Sequence, residues 1–300
     1  MKKCIFIYNP NSGSSKRIIK NLDYIKEKLA TKYDVVDVVP TQYATHATKI
    51  ANEACGVYDC LVLAGGDGTF NEVINGLAGN EVKPVVGYVP CGTVCDMARN
   101  LGMTKNVKKT IDRILQGKEL AHDVCKINDK YFIYVAAIGG YSSVSYDAKS
   151  KGKKFWGKLA YLFVAIANLF KVKNKPMHVK INVDNKTYIG EYSYIFIANT
   201  ISVGGFKLNK EAVLNDGKCD VLLIRKSFMN GLPKLIKLVL FGAGKAARYD
   251  KYMKHLIVNK VSVHIDDKDI YWNLDGEKGM SGDVDVEVLK ENVKMIEYQG

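Results

Sequence analysis

The segment from Leu61 to Leu77 reads Leu-Val-Leu-Ala-Gly-Gly-Asp-Gly-Thr-Phe-Asn-Glu-Val-Ile-Asn-Gly-Leu, and it narrows the choice of fold more than any other stretch of the chain. The apolar run 60–64 is short and bounded by glycine, which fits a buried strand. Three glycines broken by one aspartate follow, and then Phe70, Val73, Ile74 and Leu77 recur at helical spacing. A strand that turns on glycine into a helix is a phosphate-binding arrangement, because bare amides approach the oxygens and the helix dipole favours negative charge. Asp67 in that turn repels phosphate unless a cation lies between them, which points to Mg²⁺ and a nucleotide. The plain structural alternative is a tight turn with Thr69 as N-cap.

The surrounding sequence extends this unit into a domain. Up to about Ala121, strands (4–8, 35–39, 60–64, 85–89) alternate with helical segments (18–29, 47–54, the Phe70 helix, 107–115). That order predicts an α/β N-terminal domain, a parallel sheet with helices on both faces, over residues 1–121. Ligands of such sheets bind beyond the carboxyl ends of the strands, so the turns at Asn9, Gly65 and Cys91 are expected along one edge. After Asp123 the segments 131–137, 178–183, 192–198, 220–224, 256–265, 269–274 and 283–289 read as short strands separated by turn signals. They predict a mostly antiparallel β-sandwich over 122–289, interrupted by helical insertions at 155–170 and 232–253, with the tail of about 290–300 returning to the first domain.

Composition is that of a globular protein, 47% hydrophobic and 25% charged, and 300 residues suffice for two domains. The net charge of +13 favours an anionic partner. The seven cysteines (4, 55, 60, 91, 95, 125 and 219) form no Cys-x-x-Cys pair, and several sit in apolar runs. Free buried thiols in a reducing, cytoplasmic setting are expected, and a zinc site is not. The five histidines (46, 122, 178, 255 and 264) show no metal-ligand spacing. The longest greasy stretch, 159–170, is too short for a membrane span, so the chain is expected to be soluble or to touch a membrane from one side only.

Three further turns carry candidate chemistry. Asn9-Pro10-Asn11-Ser12-Gly13 offers hydrogen bonds and close approach between the first strand and a helix. Pro90-Cys91-Gly92-Thr93-Val94-Cys95-Asp96 repeats the strand–turn–helix plan, with Arg99 placed either to pair with Asp96 or to reach a phosphate as a bidentate donor. Asn273-Leu274-Asp275-Gly276-Glu277 reads either as a type I′ hairpin turn or as a paired carboxylate site, and phosphoryl transfer to an alcohol needs such a base.

The four segments, in this order and at these distances, resemble the bacterial diacylglycerol kinases and related lipid kinases, whose catalytic domain is shared with sphingosine and ceramide kinases. The resemblance covers essentially the whole chain, whereas the glycine loop alone is shared with NAD kinases and phosphofructokinases. It implies that Asn9, Pro10, Asn11, Ser12, Gly13, Thr41, Gly66, Asp67, Gly68, Thr69, Phe70, Asn71, Glu72 and Thr93 contact ATP. It also implies that Asp275 is the general base toward the lipid hydroxyl and that Glu277 serves the nucleotide or metal site. Asp67 and Asp123 correspond to carboxylates that organise Mg²⁺ and water at the triphosphate, and Arg99 to a lipid-phosphate contact. The segment 213–218 resembles a structural Mg²⁺ loop, with Val213 and Lys218 giving carbonyls and Asp216 a side-chain oxygen. Without the resemblance, 213–218 reads as an Asn-Asp-Gly turn. In this chain Cys95 replaces the family's usual asparagine, and Lys16 and Arg17 lie at shifted positions.

Phe155, Trp156 and Leu159, preceded by Lys149, Lys151, Lys153 and Lys154, suit either a membrane interface or a core helix with a basic entry. The resemblance implies an ATP- and Mg²⁺-dependent kinase acting on diacylglycerol or another lipid alcohol at the inner membrane surface, in peripheral contact with it. It implies no nucleic-acid partner and is compatible with a homodimer. Two other readings stand beside it. An NAD kinase-like enzyme accounts for the glycine loop but not for the Asn-Pro-x-Ser-Gly opening. A non-catalytic nucleotide sensor rests on Cys95 alone.

Overall fold

Four parallel strands rich in Val, Ile, Leu and Cys form the frame of the N-terminal half. A computed structural model describes residues 1–92, 95–139, 176–200, 202–203, 206–207, 213–226, 242–275 and 277–299. The chain divides into two units, 1–124 with 291–300 and 125–290.

In the first unit β1 (Lys3–Tyr8), β2 (Val35–Pro40), β3 (Cys60–Gly65) and β4 (Val85–Pro90) lie in the order β2-β1-β3-β4, all parallel. β3 is buried along its whole length, as expected for a strand covered on both sides. The helices of this unit are α1 (Ser15–Ile19), α2 (Leu22–Ala30), α3 (His46–Ala54), α4 (Asp67–Leu77), α5 (Asp96–Asn100) and α6 (Val107–Gln116). They form two groups, α3 against α4 and α2 against α6. Ile25, Leu29, Ile111 and Ile114 are buried from one group, and Ile50, Phe70, Val73 and Ile74 from the other. Each such side chain contributes about 1.5–3 kcal/mol on burial. The close fit of α3 on α4 depends on Gly76, where a Cβ would stand 2.3 Å from the Thr48 carbonyl oxygen. The helix expected over 18–29 is broken at Lys20–Asn21. Asn21 Nδ2 bonds the Arg17 carbonyl at 2.7 Å, the local competition that asparagine offers a helix.

The second unit is antiparallel. β5 (Lys118–Ile127) enters it and pairs with β6 (Lys130–Phe132). The strands β7 (Val135–Gly139), β8 (Met177–Val183), β9 (Lys186–Ala198), β10 (Ser202–Val203), β11 (Phe206–Lys207) and β12 (Cys219–Arg225) follow. After α7 (Ala243–Arg248) come β13 (Met253–Val258), β14 (Lys260–Ile265), β15 (Tyr271–Leu274), β16 (Glu277–Ser281) and β17 (Val284–Glu297). The order is β16-β15-β7-β9-β8-β14-β17, with β12 between β9 and β13 and the short β10 and β11 paired with each other. Along β8 burial alternates between Met177, Val179, Ile181 and Val183 inside and their neighbours outside. The core around Trp272, Phe132, Ile195, Val221 and Val263 follows from that alternation.

Three expectations for the second unit are corrected as well. The strand expected over 131–137 is interrupted at Ile133–Tyr134, and that over 256–265 is two strands hinged at Asn259. The helix expected over 232–253 is α7 alone among the described residues, since Met253 already begins β13. The segment 155–170 and its preceding lysines lie outside the described residues.

Candidate active site

β1, β3 and β4 are parallel neighbours, so their carboxyl ends at Tyr8, Gly65 and Pro90 share one edge. The turns that leave them are tied together. The Asn9 N–H donates to the Ala64 carbonyl at 3.0 Å, and the Cys91 N–H donates to the Gly65 carbonyl at 2.8 Å. Asn9 Oδ1 accepts the Asn11 N–H at 2.9 Å, and Asn9 Nδ2 donates to Thr69 Oγ1 at 3.2 Å. The first sequence motif therefore holds the second directly.

α4 starts at Asp67, with Gly66 as an extended N-cap that has no side-chain oxygen to offer the first amides. Thr69 is thus inside the first turn rather than at the cap. Helix-terminal amides without a side-chain cap are ready donors to phosphate oxygens. The glycines let the turns close on one another. A Cβ on Gly92 would meet Gly66 Cα at 2.9 Å, and one on Gly65 would meet Thr69 Cβ at 2.7 Å. Gly13 is different: a Cβ there would meet only the Cys91 carbonyl oxygen, at an ordinary contact distance of 3.9 Å. This cradle fits a nucleotide triphosphate.

Asp67 Oδ2 accepts the backbone N–H of Cys95 at 3.0 Å. Cys95 has φ of +50°, and its Sγ accepts the Gly92 N–H at 3.2 Å. The thiol thus closes the turn between Gly92 and Cys95. Burial pushes the Cys91 thiol up to about 11 and raises Cys95 as well, so both are protonated at neutral pH. Tyr88 stacks on Phe70 at 4.8 Å beneath the loop, and burial, with the Asp67 charge adding to it, raises its phenol.

The other predicted residues of this unit take several places. The Thr41 N–H donates to the Tyr8 carbonyl at 2.9 Å, beside the root of the first turn. Pro10, Ser12 and Gly68 are half-buried along the turns. Asn71 Oδ1 accepts from Asn75 Nδ2. Glu72 Oε2 accepts the Ala47 N–H at 3.3 Å, so its carboxylate serves the first turn of α3. Arg99 is exposed on α5, and Arg17 Nη1 donates to the Lys105 carbonyl at 2.8 Å. Asp123 is fully buried and accepts the Glu291 N–H at 2.7 Å, where β5 and β17 pair. Thr93 lies outside the described residues.

In the second unit Asp275 sits at the hairpin between β15 and β16, where Leu274 pairs with Glu277. Its φ is +50°, as a type I′ turn requires. Asp275 therefore occupies the turn that the hairpin reading expects. Asp275 Oδ2 accepts the Ile133 N–H at 2.9 Å, and Oδ1 accepts the N–H groups of Tyr134 at 3.1 Å and Val135 at 2.8 Å. The Tyr134 hydroxyl donates to the Asp275 carbonyl at 3.0 Å. The break between β6 and β7 supplies these amides. Sequence reasoning missed Tyr134 and its neighbours because their donors are backbone groups.

The segment 213–218 turns into β12. Asp216 Oδ1 accepts the Lys218 N–H at 2.9 Å, and Gly217 has φ of +78°. The Asp216 carboxylate and the backbone carbonyls of Val213 and Lys218 are oxygen donors, the type a hard cation takes. No cluster of three or more His, Cys, Asp or Glu side chains with metal-binding geometry occurs among the described residues. None of their helices is long and apolar enough to cross a membrane.

An α/β unit with linked glycine turns on one sheet edge, followed by an antiparallel β unit, is an NAD kinase-like fold. Residues 3–127 match the diacylglycerol kinase catalytic domain, and 135–297 match the YegS C-terminal NAD kinase beta sandwich-like domain. The chain is 33% identical over 289 residues to a diacylglycerol kinase of Bacillus subtilis (strain 168), covering 93% of this chain and 91% of that protein. It is 33% identical over 283 residues to one of Staphylococcus carnosus (strain TM300), covering 93% and 89%. A diacylglycerol kinase crystal structure from Bacillus anthracis str. Sterne shares the fold with a TM-score of 0.77 at 21% identity, covering 99% of this chain and 97% of that one. Yeast NADH kinase shares it more distantly, with a TM-score of 0.51 at 11% identity over 100% and 84%. The chain belongs to the diacylglycerol kinase family and is a kinase.

Proposed function

We propose that this kinase moves the γ-phosphoryl group of ATP to the hydroxyl of a lipid alcohol, diacylglycerol first among them, giving phosphatidic acid and ADP. The carrying observation is the interlocked edge of the first unit, where Asn9 bonds Thr69 and Asp67 bonds the Cys95 amide around an α4 terminus without a side-chain cap. In this reading residues 1–121 hold ATP through Asn9 to Gly13, Thr41, Gly66 to Glu72 and Thr93, and 122–289 hold the lipid. Arg99 meets the anionic lipid surface that the chain contacts peripherally.

Asp275 takes the proton from the lipid hydroxyl. The hydroxyl oxygen bonds to the γ-phosphorus as the bridging P–O bond to ADP breaks, and ADP carries away that electron pair. Three amides fix the carboxylate, so it is oriented before substrate arrives. Asp67 and Asp123 would hold Mg²⁺ at the triphosphate, Glu277 would serve the nucleotide or metal site, and Asp216 with the Val213 and Lys218 carbonyls would hold a structural Mg²⁺. Bound Mg²⁺ supplies charge neutralisation at the transferred phosphoryl group.

The test is transfer of label from γ-labelled ATP, with and without Mg²⁺, to diacylglycerol micelles, monoacylglycerol, phosphatidylglycerol, long-chain bases and NAD. The proposal expects Mg²⁺-dependent label in a lipid, diacylglycerol above the rest. Label in NAD alone would refute it, and ATP binding with no transfer anywhere would favour the sensor reading.

A further inference from the structure

His46 is the one histidine near the nucleotide edge, and Tyr43 stacks on it with ring centroids 4.4 Å apart and planes 17° from parallel. The pair stands where β2 leaves the sheet. Pro40, the last residue of β2, is the register partner of Tyr8, which leads into the Asn9 turn. Strands lie about 4.8 Å apart, so this loop is about two spacings, roughly 10 Å, from the glycine turn after β3.

The pair is held rigidly from below yet open above. His46 Nδ1 accepts the Gln42 N–H at 3.0 Å, which fixes the ring. Thr41 is bonded to Tyr8, and Ala47 to Glu72 of α4, so both ends of the loop are tied to elements that carry the phosphate turns. Thr45 is held at φ of +68°, a conformation that β-branched residues avoid and that persists only where surroundings impose it. Despite this, Tyr43 is 54% exposed. One ring face is covered by imidazole and the tyrosine still keeps half its surface in solvent.

We infer that the Tyr43–His46 stack is the platform for the purine ring of the nucleotide whose phosphates lie on the Gly66 turn. The inference rests on the ATP-site reading above and adds to it the determinant of base recognition. A rigid, pre-stacked aromatic face accepts a third ring at little ordering cost. The phosphates are held by backbone amides and the base by the stack, so the two parts of the ligand are separable by mutation.

Calorimetric titration of the full chain with Mg²⁺–ATP and with inorganic tripolyphosphate tests this. Tyr43→Ala should weaken ATP about 5- to 150-fold, the range of base–aromatic stacking, and leave tripolyphosphate unchanged. Tyr43→Phe should bind ATP as the parent does. Equal losses for the two ligands, or no loss of ATP, would overturn the inference. A parent chain that binds ATP no more tightly than tripolyphosphate would also overturn it while leaving the phosphate turns in place. Binding of neither ligand would contradict the kinase site itself and the platform with it.

Discussion

The carboxylate of Asp67 accepts the backbone N–H of Cys95 at 3.0 Å, and this bond ties the glycine turn after β3 to the turn after β4. Asp67 therefore has a structural duty in addition to the Mg²⁺ duty proposed for it. The two are separable. Asp67→Asn keeps an acceptor oxygen for Cys95 but removes the charge, and Asp67→Ala removes both. A hydrogen bond to a charged group contributes about 1.5–3 kcal/mol, so Asp67→Ala should lower thermal stability measurably and Asp67→Asn much less. Both should cost at least about tenfold in kcat/KM. Full Mg²⁺-dependent turnover in Asp67→Asn would refute the metal role.

The two glycines that face the nucleotide edge should separate folding from binding. A Cβ on Gly92 meets backbone at 2.9 Å, so Gly92→Ala should push the second and third turns apart and destabilise the chain by about 1–3 kcal/mol in urea unfolding. A Cβ on Gly13 meets nothing closer than 3.9 Å, so Gly13→Ala should leave unfolding within about 0.5 kcal/mol of the parent. Its ATP affinity should still fall, because the added methyl occupies the space left for phosphate.

Much of the first unit was legible in the sequence because its strands are apolar runs bounded by glycine, proline or asparagine, and its helices show period 3.6. The Gly65–Thr69 segment could be read as a phosphate turn from residue types alone. What could not be read are bonds made by backbone. The three amides on Asp275 come from residues 133–135, about 140 positions away, and appear only when β7 pairs with β15. β5 escaped notice because Glu119, His122 and Asp123 interrupt its apolar pattern, and two of these groups find partners on β17, His122 at Glu297 and Asp123 at the Glu291 N–H. The stack of Tyr43 on His46 has no sequence signal, since the loop that forms it includes Thr45 at a positive φ that its sequence does not advertise.

His122 should make the chain acid-sensitive. It is 3% exposed, with Nε2 2.9 Å from Glu297 Oε1, and burial lowers its pKa below the usual 6.5 against the opposing pull of Glu297 and Asp123. The unfolded chain therefore takes up a proton that the folded chain resists. The contribution is fully present above about pH 6.5 and is lost as pH falls, with a slope of at most about 1.4 kcal/mol per pH unit. Urea unfolding between pH 8 and pH 5 should show this loss in the parent and a shallower one in His122→Gln. Identical slopes would refute it.

The central claim is that Asp275 acts as the base toward a lipid hydroxyl while the first unit holds ATP. The measurement is paired: transfer of label from ATP to diacylglycerol in mixed micelles, and ATP affinity by calorimetry, for the parent and Asp275→Asn, with a thermal melt to show that the fold survives the loss of an acceptor for the 133–135 amides. The account predicts a loss of turnover of about 100-fold or more with ATP affinity unchanged. An Asp275→Asn chain that phosphorylates diacylglycerol at the parental rate would contradict it.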